Sequence, residues 1–157
     1  MDEAAALRGF QAVTVGLCKQ MIAAGVRSDE LESSRVLVIN TWRSIGAAPV
    51  RRQPLVLVDT RSVDADDVAP IEMPAGIMGG SALRLTYARP SARHRWHWFE
   101  EMRPDELLIF AQYDSARERS CRMLHSAVHH PDTPADAEPR HSIEMRLLCL
   151  LPAEREG

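Results

Sequence analysis

The 157-residue sequence has only three cysteines, Cys18, Cys121 and Cys149, and no Cys-x-x-Cys pair. An odd number at wide spacing argues against a disulfide framework and a cysteine zinc site, so a reducing cytoplasm is the expected location. The sequence also lacks any apolar run near the roughly 20 residues that a membrane-spanning helix needs. Because no basic leader precedes an apolar stretch, no secretion signal is predicted.

Positive charge is not in excess, since 19 Lys and Arg face 22 Asp and Glu for a net charge of −3. This balance gives no electrostatic reason to expect a nucleic acid or a membrane surface as partner. Gly-x-Ser-x-Gly and phosphate-binding glycine loops are missing as well. What remains is 45% hydrophobic and 26% charged residues, which is typical of one globular domain with a core of its own.

The first 35 residues predict helix. Between Glu3 and Ala24, apolar side chains recur at spacings of three and four, which forms one apolar face. They are Leu7, Phe10, Val13, Leu17 and Met21. Gly25 is expected to end this helix and Ser28 to cap a second, short one that runs through Leu31.

The remaining chain predicts strands. Short apolar or β-branched runs lie at 36–42, 55–59, 82–87, 94–99, 107–111, 122–128 and 142–151. We expect 82–87 and 94–99 to pair as a hairpin, 107–111 to be a buried strand and 70–80 to be loop. Because no helix-length segment separates the later strands, the pattern favours a mainly β fold, an antiparallel sandwich or jelly roll, behind an N-terminal helix.

The last third contains the candidate binding residues. His125 can bind a metal, and Arg140 and Ser142 follow in the segment Pro139–Glu144. If that segment is a strand, Arg140 and Ser142 project to the same side and could together receive a carboxylate. The competing interpretation is a surface histidine and a solvated arginine.

Other histidines are weaker metal candidates. His94 and His97 have opposite parity on a strand and would point to opposite faces. His129 and His130 are expected in the turn before Pro131, at the surface. Cys121 and Cys149 lie in apolar surroundings, where an inert buried thiol is the common case.

Several short motifs occur in the order found in one protein group. They are Ile39–Arg43, Pro54–Leu55, Asp59–Val63, Tyr87, Arg95–Trp96, Pro104–Glu106, Tyr113–Ser115, His125 and Pro139–Glu144. Over about residues 36–152 the sequence resembles the hydroxylase/desaturase family of bacterial and fungal secondary metabolism. Its members include a cephem methoxylation component, aspergillic acid hydroxylase and a gibberellin desaturase.

The resemblance implies a double-stranded β-helix, the jelly-roll core of Fe(II)/2-oxoglutarate oxygenases, which hydroxylate or desaturate small molecules. It implies three regions: a helical segment at 1–35, the jelly-roll domain at 36–152 and a tail at 153–157. By the same resemblance His125 corresponds to the distal iron ligand, and Arg140 pairs with the distal carboxylate of 2-oxoglutarate while Ser142 donates a further hydrogen bond. Arg146, on the same strand face, is the competitor, unless it forms an ion pair with Glu144.

The sequence departs from the family at one motif. Members carry a His-x-Asp motif that supplies two iron ligands upstream of the Asn-x-Trp strand, and no His-x-Asp precedes Asn40 here, since the first histidine of the chain is His94. The chain is then either a fragment, in which Asp2 is the surviving carboxylate, or a descendant that has lost its metal. One ligand of three cannot usefully hold Fe(II). The alternative function is therefore a non-catalytic jelly-roll module that binds a small molecule or a partner subunit.

Overall fold

Two short helices precede the strands in the computed structural model, which describes residues 12–73, 83–116 and 123–152. Helix α1 spans Ala12–Ala23 and α2 spans Ser28–Glu32. Gly25 adopts a φ of 100° after α1, a left-handed conformation that favours glycine and ends a helix, as predicted. The prediction for Ser28 is wrong, because Arg27 occupies the N-cap and Ser28 is the first helical residue. Leu7 and Phe10 lie outside the described residues.

Eight strands follow the helices in the described ranges. They are β1 Ser34–Ser44, β2 Leu55–Val58, β3 Val68–Met73, β4 Leu83–Ala88, β5 Trp96–His97, β6 Leu108–Asp114, β7 His125–Ala127 and β8 Ser142–Pro152. All seven predicted strands correspond to observed ones. The loop prediction at 70–80 is wrong over its first four residues, which belong to β3, and its remainder lies outside the described ranges.

The strands form three antiparallel sheets: β6-β1-β8, β5-β2-β7 and the pair β3-β4. The predicted hairpin between 82–87 and 94–99 is therefore wrong, since β4 pairs with β3 and β5 pairs with β2. The alternation of side chains predicts a strand but does not identify its partner, because pairing depends on contacts distant in sequence.

Strand β1 is central, and its 11 residues pair with β8 over their whole length. Alternate residues face inward and are buried: Val36, Val38, Asn40, Trp42 and Ser44. On its other side β1 pairs with β6, where the register shifts between Val38 and Ile39 and leaves Gln112 without a partner on β1. Such a β-bulge redirects a side chain.

The core connects the two three-stranded sheets. Trp42 and Phe110 from β1 and β6 cluster with Val50, Leu55 and Met102. Segment 107–111 is not the fully buried strand that was predicted, because Phe110 is buried while Leu107 and Ile109 are exposed. In the described ranges no helix is both long and apolar enough to cross a bilayer.

Candidate functional site

His125 begins β7 and lies on the face of its sheet that covers the core. It pairs with Leu57 on β2, and its ring meets that of Phe110 edge-on, with centroids 4.8 Å apart. The carbonyl of Met123 lies 2.9 Å from His125 Nδ1, and because a carbonyl can only accept, this contact is a hydrogen bond when Nδ1 carries the proton. In that tautomer Nε2 keeps its lone pair, which is the arrangement a metal-binding imidazole needs.

Gln112 supports this orientation. Its Nε2 donates to the same Met123 carbonyl at 2.6 Å and lies 3.2 Å from His125 Nδ1. The bulge in β6 explains this position, because Gln112 is the residue that the register shift leaves unpaired. A redirected side chain thus fixes the loop carbonyl that orients the imidazole.

Glu144 lies beside the other ring nitrogen of His125, Nε2. Its Oε2 lies 3.8 Å from His125 Nε2, while its Oε1 accepts a 2.9 Å hydrogen bond from Asn40 Nδ2. Asn40 is fully buried, and its Oδ1 accepts from Arg146 Nε at 3.0 Å. A buried amide therefore holds both a carboxylate and a guanidinium on the inner face of β1 and β8.

Arg140 lies beside this network at the same end of the sheet. Its guanidinium stacks over the ring of Trp42, 5.6 Å from the centroid, and Trp42 is the cross-strand partner of Glu144. Arg140 Nη1 donates to the carbonyl of Gln53 at 2.8 Å. Burial lowers the pKa of Arg140, because removal from water disfavours the charged form.

Arg140 and Ser142 were expected to lie on one strand, but only Ser142 does. Strand β8 begins at Ser142, so Arg140 lies just before the strand and not on it, and strand alternation does not set its direction. Ser142 pairs with the buried Ser44 and shares the inner face of β8 with Glu144 and Arg146. Arg146 does lie on this face, four residues along from Ser142, and contacts Glu144 at 3.9 Å.

The remaining histidines have other surroundings. His94 lies outside β5 and its Nε2 is 3.1 Å from Asp67 Oδ2, which gives it a local partner. His129 and His130 follow the end of β7, as predicted. His130 contacts the Trp98 ring at 5.0 Å beside a surface cavity of about 170 Å³.

Iron ligands are incomplete in the described ranges. His125 fits as one oriented ligand, with Glu144 as a neighbouring carboxylate. Across residues 12–73, 83–116 and 123–152, however, no three His, Cys, Asp or Glu side chains are grouped closely enough to hold a metal ion. Asp2, the other expected ligand, and Cys121 lie outside these ranges. The described residues alone therefore do not fit a complete Fe(II) site.

Asn40, Trp42 and Gln112 also belong to the site, although the sequence did not predict a role for them. Asn40 had a visible signal, since it is an amide inside the apolar run 36–42 at a position whose parity matches buried neighbours. A polar side chain at such a position needs hydrogen-bonding partners. Gln112 had no such signal, because the position of a β-bulge cannot be recognised in the sequence.

Comparison with solved structures defines the class of this fold. It is similar to an iron and alpha-ketoglutarate-dependent endoperoxidase, NvfI, with a TM-score of 0.76 at 28% identity, covering 92% of this chain and 52% of the other. A structure of the same enzyme in a different conformation gives a TM-score of 0.78 at 29% identity, with 92% and 50% covered. The protein is thus a mainly β, antiparallel relative of an iron-dependent oxygenase.

Sequence comparison supplies the family. A family model described as an oxidoreductase/YMDC permease-like domain matches residues 13–150, and the chain belongs to this family. It is 33% identical over 120 residues to the Fe(II)/2-oxoglutarate-dependent dioxygenase nvfI of Aspergillus novofumigatus, covering 75% of this chain and 42% of the relative. It is 31% identical over 133 residues to the gibberellin cluster GA4 desaturase of Gibberella fujikuroi, covering 80% and 37%. The resemblance to fungal hydroxylases and desaturases is confirmed, and the chain spans less than half the length of these two relatives.

Proposed function

We propose that the protein is an Fe(II)/2-oxoglutarate-dependent oxidoreductase-like protein that acts on a small molecule of secondary metabolism, by hydroxylation or desaturation. The relatives support the chemistry through their names, which include a dioxygenase, a desaturase and hydroxylase/desaturases. Arg140, just before β8, and Ser142, on the inner face of β8, support a carboxylate-binding role for this chain itself.

The main support for the proposal is the partly buried environment of the Arg140 guanidinium. Its guanidinium is partly withdrawn from water, and burial is the cause of its lowered pKa. Within the described residues its neighbours are a carbonyl and an aromatic ring, those of Gln53 and Trp42, and neither is negatively charged. A carboxylate ligand would supply the missing charge and accept two parallel hydrogen bonds from the guanidinium fork.

Arg146 is the less suitable carboxylate partner. Its Nε is already bound to Asn40, and its Nη2 lies 3.9 Å from the carboxylate of Glu144. A ligand carboxylate would have to compete with Glu144 for this cation and would be repelled by it. We therefore assign the distal carboxylate of 2-oxoglutarate to Arg140, with Ser142 donating a further hydrogen bond from the inner face of β8.

His125 is the proposed iron ligand, through Nε2. Bound iron would supply the oxidation chemistry, while this chain's residues orient ligands around it. The Met123 carbonyl fixes the imidazole tautomer, and Gln112 holds that carbonyl in place. Asn40 holds Glu144 so that one carboxylate oxygen faces His125.

We also propose that the two three-stranded sheets belong to a jelly roll that occupies residues 36–152, behind the helical segment 1–35 and before the tail 153–157. The support is a core cluster drawn from both sheets and the similarity to a solved oxygenase over 92% of the chain. Facing antiparallel sheets around one core are the general plan of such folds.

The test is an anaerobic titration with Fe(II) and 2-oxoglutarate, with detection of the visible charge-transfer band of an oxoacid chelated to ferrous iron. We expect the band to disappear in His125→Ala. Calorimetry should show that Arg140→Ala weakens 2-oxoglutarate binding by about 2 to 5 kcal/mol, the range for loss of a buried charge partner. Arg103→Ala removes an exposed arginine that pairs with Asp105 and should leave the affinity unchanged.

A second candidate function is a non-catalytic module that binds a small carboxylate or a partner subunit. The absence of a three-ligand group across the described ranges favours it. In this case 2-oxoglutarate or a related dicarboxylate would bind without iron and still require Arg140. Equal affinity in Arg140→Ala would contradict the assignment and direct attention to Arg146. Absence of any 2-oxoglutarate binding, with or without iron, would contradict the oxidoreductase and the carboxylate-binding module alike.

A further inference from the structure

The outer face of the sheet β6-β1-β8 is apolar and exposed. Strand alternation sends every second residue of these strands away from the core, and the cross-strand register puts these residues on one surface. We call this surface the outer face. It comprises Leu37, Ile39 and Thr41 of β1, Ile109 and Ala111 of β6, and Ile143, Met145, Leu147, Cys149 and Leu151 of β8.

Exposure of the outer face is largest on the strands that flank β1. Met145 is 56% exposed and Ile109, across Thr41 from it, is 60% exposed. A face of contiguous large apolar side chains marks an interaction surface, whereas scattered ones need no explanation. Helix α1 does not cover this surface, because these fractions hold with the helix in place.

Among the described residues of β1, charge on the side of the outer face lies only at the two ends of the strand. Arg35 is bonded to Asp114, and Arg43 donates to the carbonyl of Pro104 at 2.6 Å. None of the residues that define the outer face is charged, so two copies of this set of side chains can approach without like-charge repulsion between them. This matters because a two-fold interface brings identical patches together.

The area of the outer face is near what a specific dimer needs. Strands of 11, 11 and 7 residues, at about 3.4 Å per residue and 4.8 Å between strands, cover roughly 450 Å². Two such footprints, with protruding side chains added, give about 1,000 Å², the lower limit for a specific interface. One added strand or helix would leave part of a three-stranded width uncovered.

We propose that the outer face packs against the outer face of a second copy of this chain, as the two sheets of a β-sandwich pack. Met145 and Ile109, the most exposed residues of the outer face, are part of this interface. Interfaces near this lower limit of area are often weak and transient, so the dimer is sought at about 1 to 100 µM. The proposal does not depend on the iron chemistry, since the inner face and the outer face are opposite sides of one sheet.

The test is the mass of the native chain in solution across about 1 to 100 µM, by sedimentation or light scattering. We expect twice the 17.6 kDa of one chain at the upper end. Met145→Arg should raise the dimer dissociation constant at least about tenfold, because a buried unpaired cation enters the interface twice. Ile109→Arg, on another strand, should do the same, so that a folding defect in one variant leaves the test intact.

Phe99→Arg is the matched control, because Phe99 is 61% exposed but lies outside the outer face. It should dimerise like the native chain, and far-ultraviolet circular dichroism should show that all three variants keep their strands. A chain that is monomeric at the upper concentration would overturn the proposal. A dimer that survives both arginine variants would also overturn it.

Discussion

The two faces of β8 differ in a way that reverses the usual pattern of a half-buried strand. Over its first six residues, the side chains that face the core side are Ser142, Glu144 and Arg146, whereas Ile143, Met145 and Leu147 face outward. An antiparallel sheet with one face in water normally places its apolar residues inside. The opposite faces of β1 follow the usual rule more closely, with Val36, Val38 and Trp42 buried inside.

This difference separates two tasks of one sheet. The interior at the start of β8 carries groups that bind ligands and one another, and such groups do not contribute the apolar burial that stabilises a core. At the start of β8, the apolar side chains lie on the outer face instead of the inner one. Stability of the single chain should therefore depend on the inner face of β1, and association on the outer face.

The largest effect should follow from a change on the inner face of β1. Trp42→Ala should lower the free energy of unfolding by about 3 to 5 kcal/mol, since Trp42 is buried at the centre of the core cluster and its removal leaves a cavity. Urea unfolding at low protein concentration, where association does not contribute, measures this change.

The outer-face neighbour serves as the comparison. Thr41→Ala, one residue away on the same strand, should cost less than about 1 kcal/mol, because it leaves no core cavity. If both substitutions lower the free energy of unfolding by the same amount, the inner face of β1 does not contribute more to stability than the outer face does.

A smaller effect should follow from loss of the polar interior. Asn40→Ala should cost about 1 to 2 kcal/mol, because it removes hydrogen bonds to both Glu144 and Arg146. These partners are 35% and 40% exposed, so water can replace part of what Asn40 supplies. Arg146→Ala should therefore cost less than Asn40→Ala, again by urea unfolding. The reverse order would show that the cation, and not the buried amide, holds the network.

Most strands could be predicted from the sequence because alternation and β-branched runs are local properties. Their pairing could not, since β5 and β7 flank β2 through contacts between residues far apart in the chain. The same limit applies to the site. His125 and Ser142 could be placed on strands, but Arg140 lies just before β8 and meets Trp42 and Gln53, which are distant in sequence. The burial of the Arg140 guanidinium could not be predicted, because it depends on these distant neighbours.

The smallest effect concerns ion pairs that lie away from both faces. Arg61 and Arg95 hold the pKa of Asp59 well below its usual range through hydrogen bonds to its carboxylate. A carboxyl whose pKa is lower in the folded state stabilises the fold above its unfolded pKa of about 3.9, and this contribution is lost as the pH falls through the folded pKa. The free energy of unfolding should therefore decline below about pH 4, and less steeply in Asp59→Asn.

Asp105→Asn, which removes an exposed partner of Arg103, controls for the loss of one negative charge. Parallel acid limbs in the native chain and Asp59→Asn would show that this cluster does not contribute, and that acid sensitivity arises from carboxylates elsewhere, such as Asp67 beside His94.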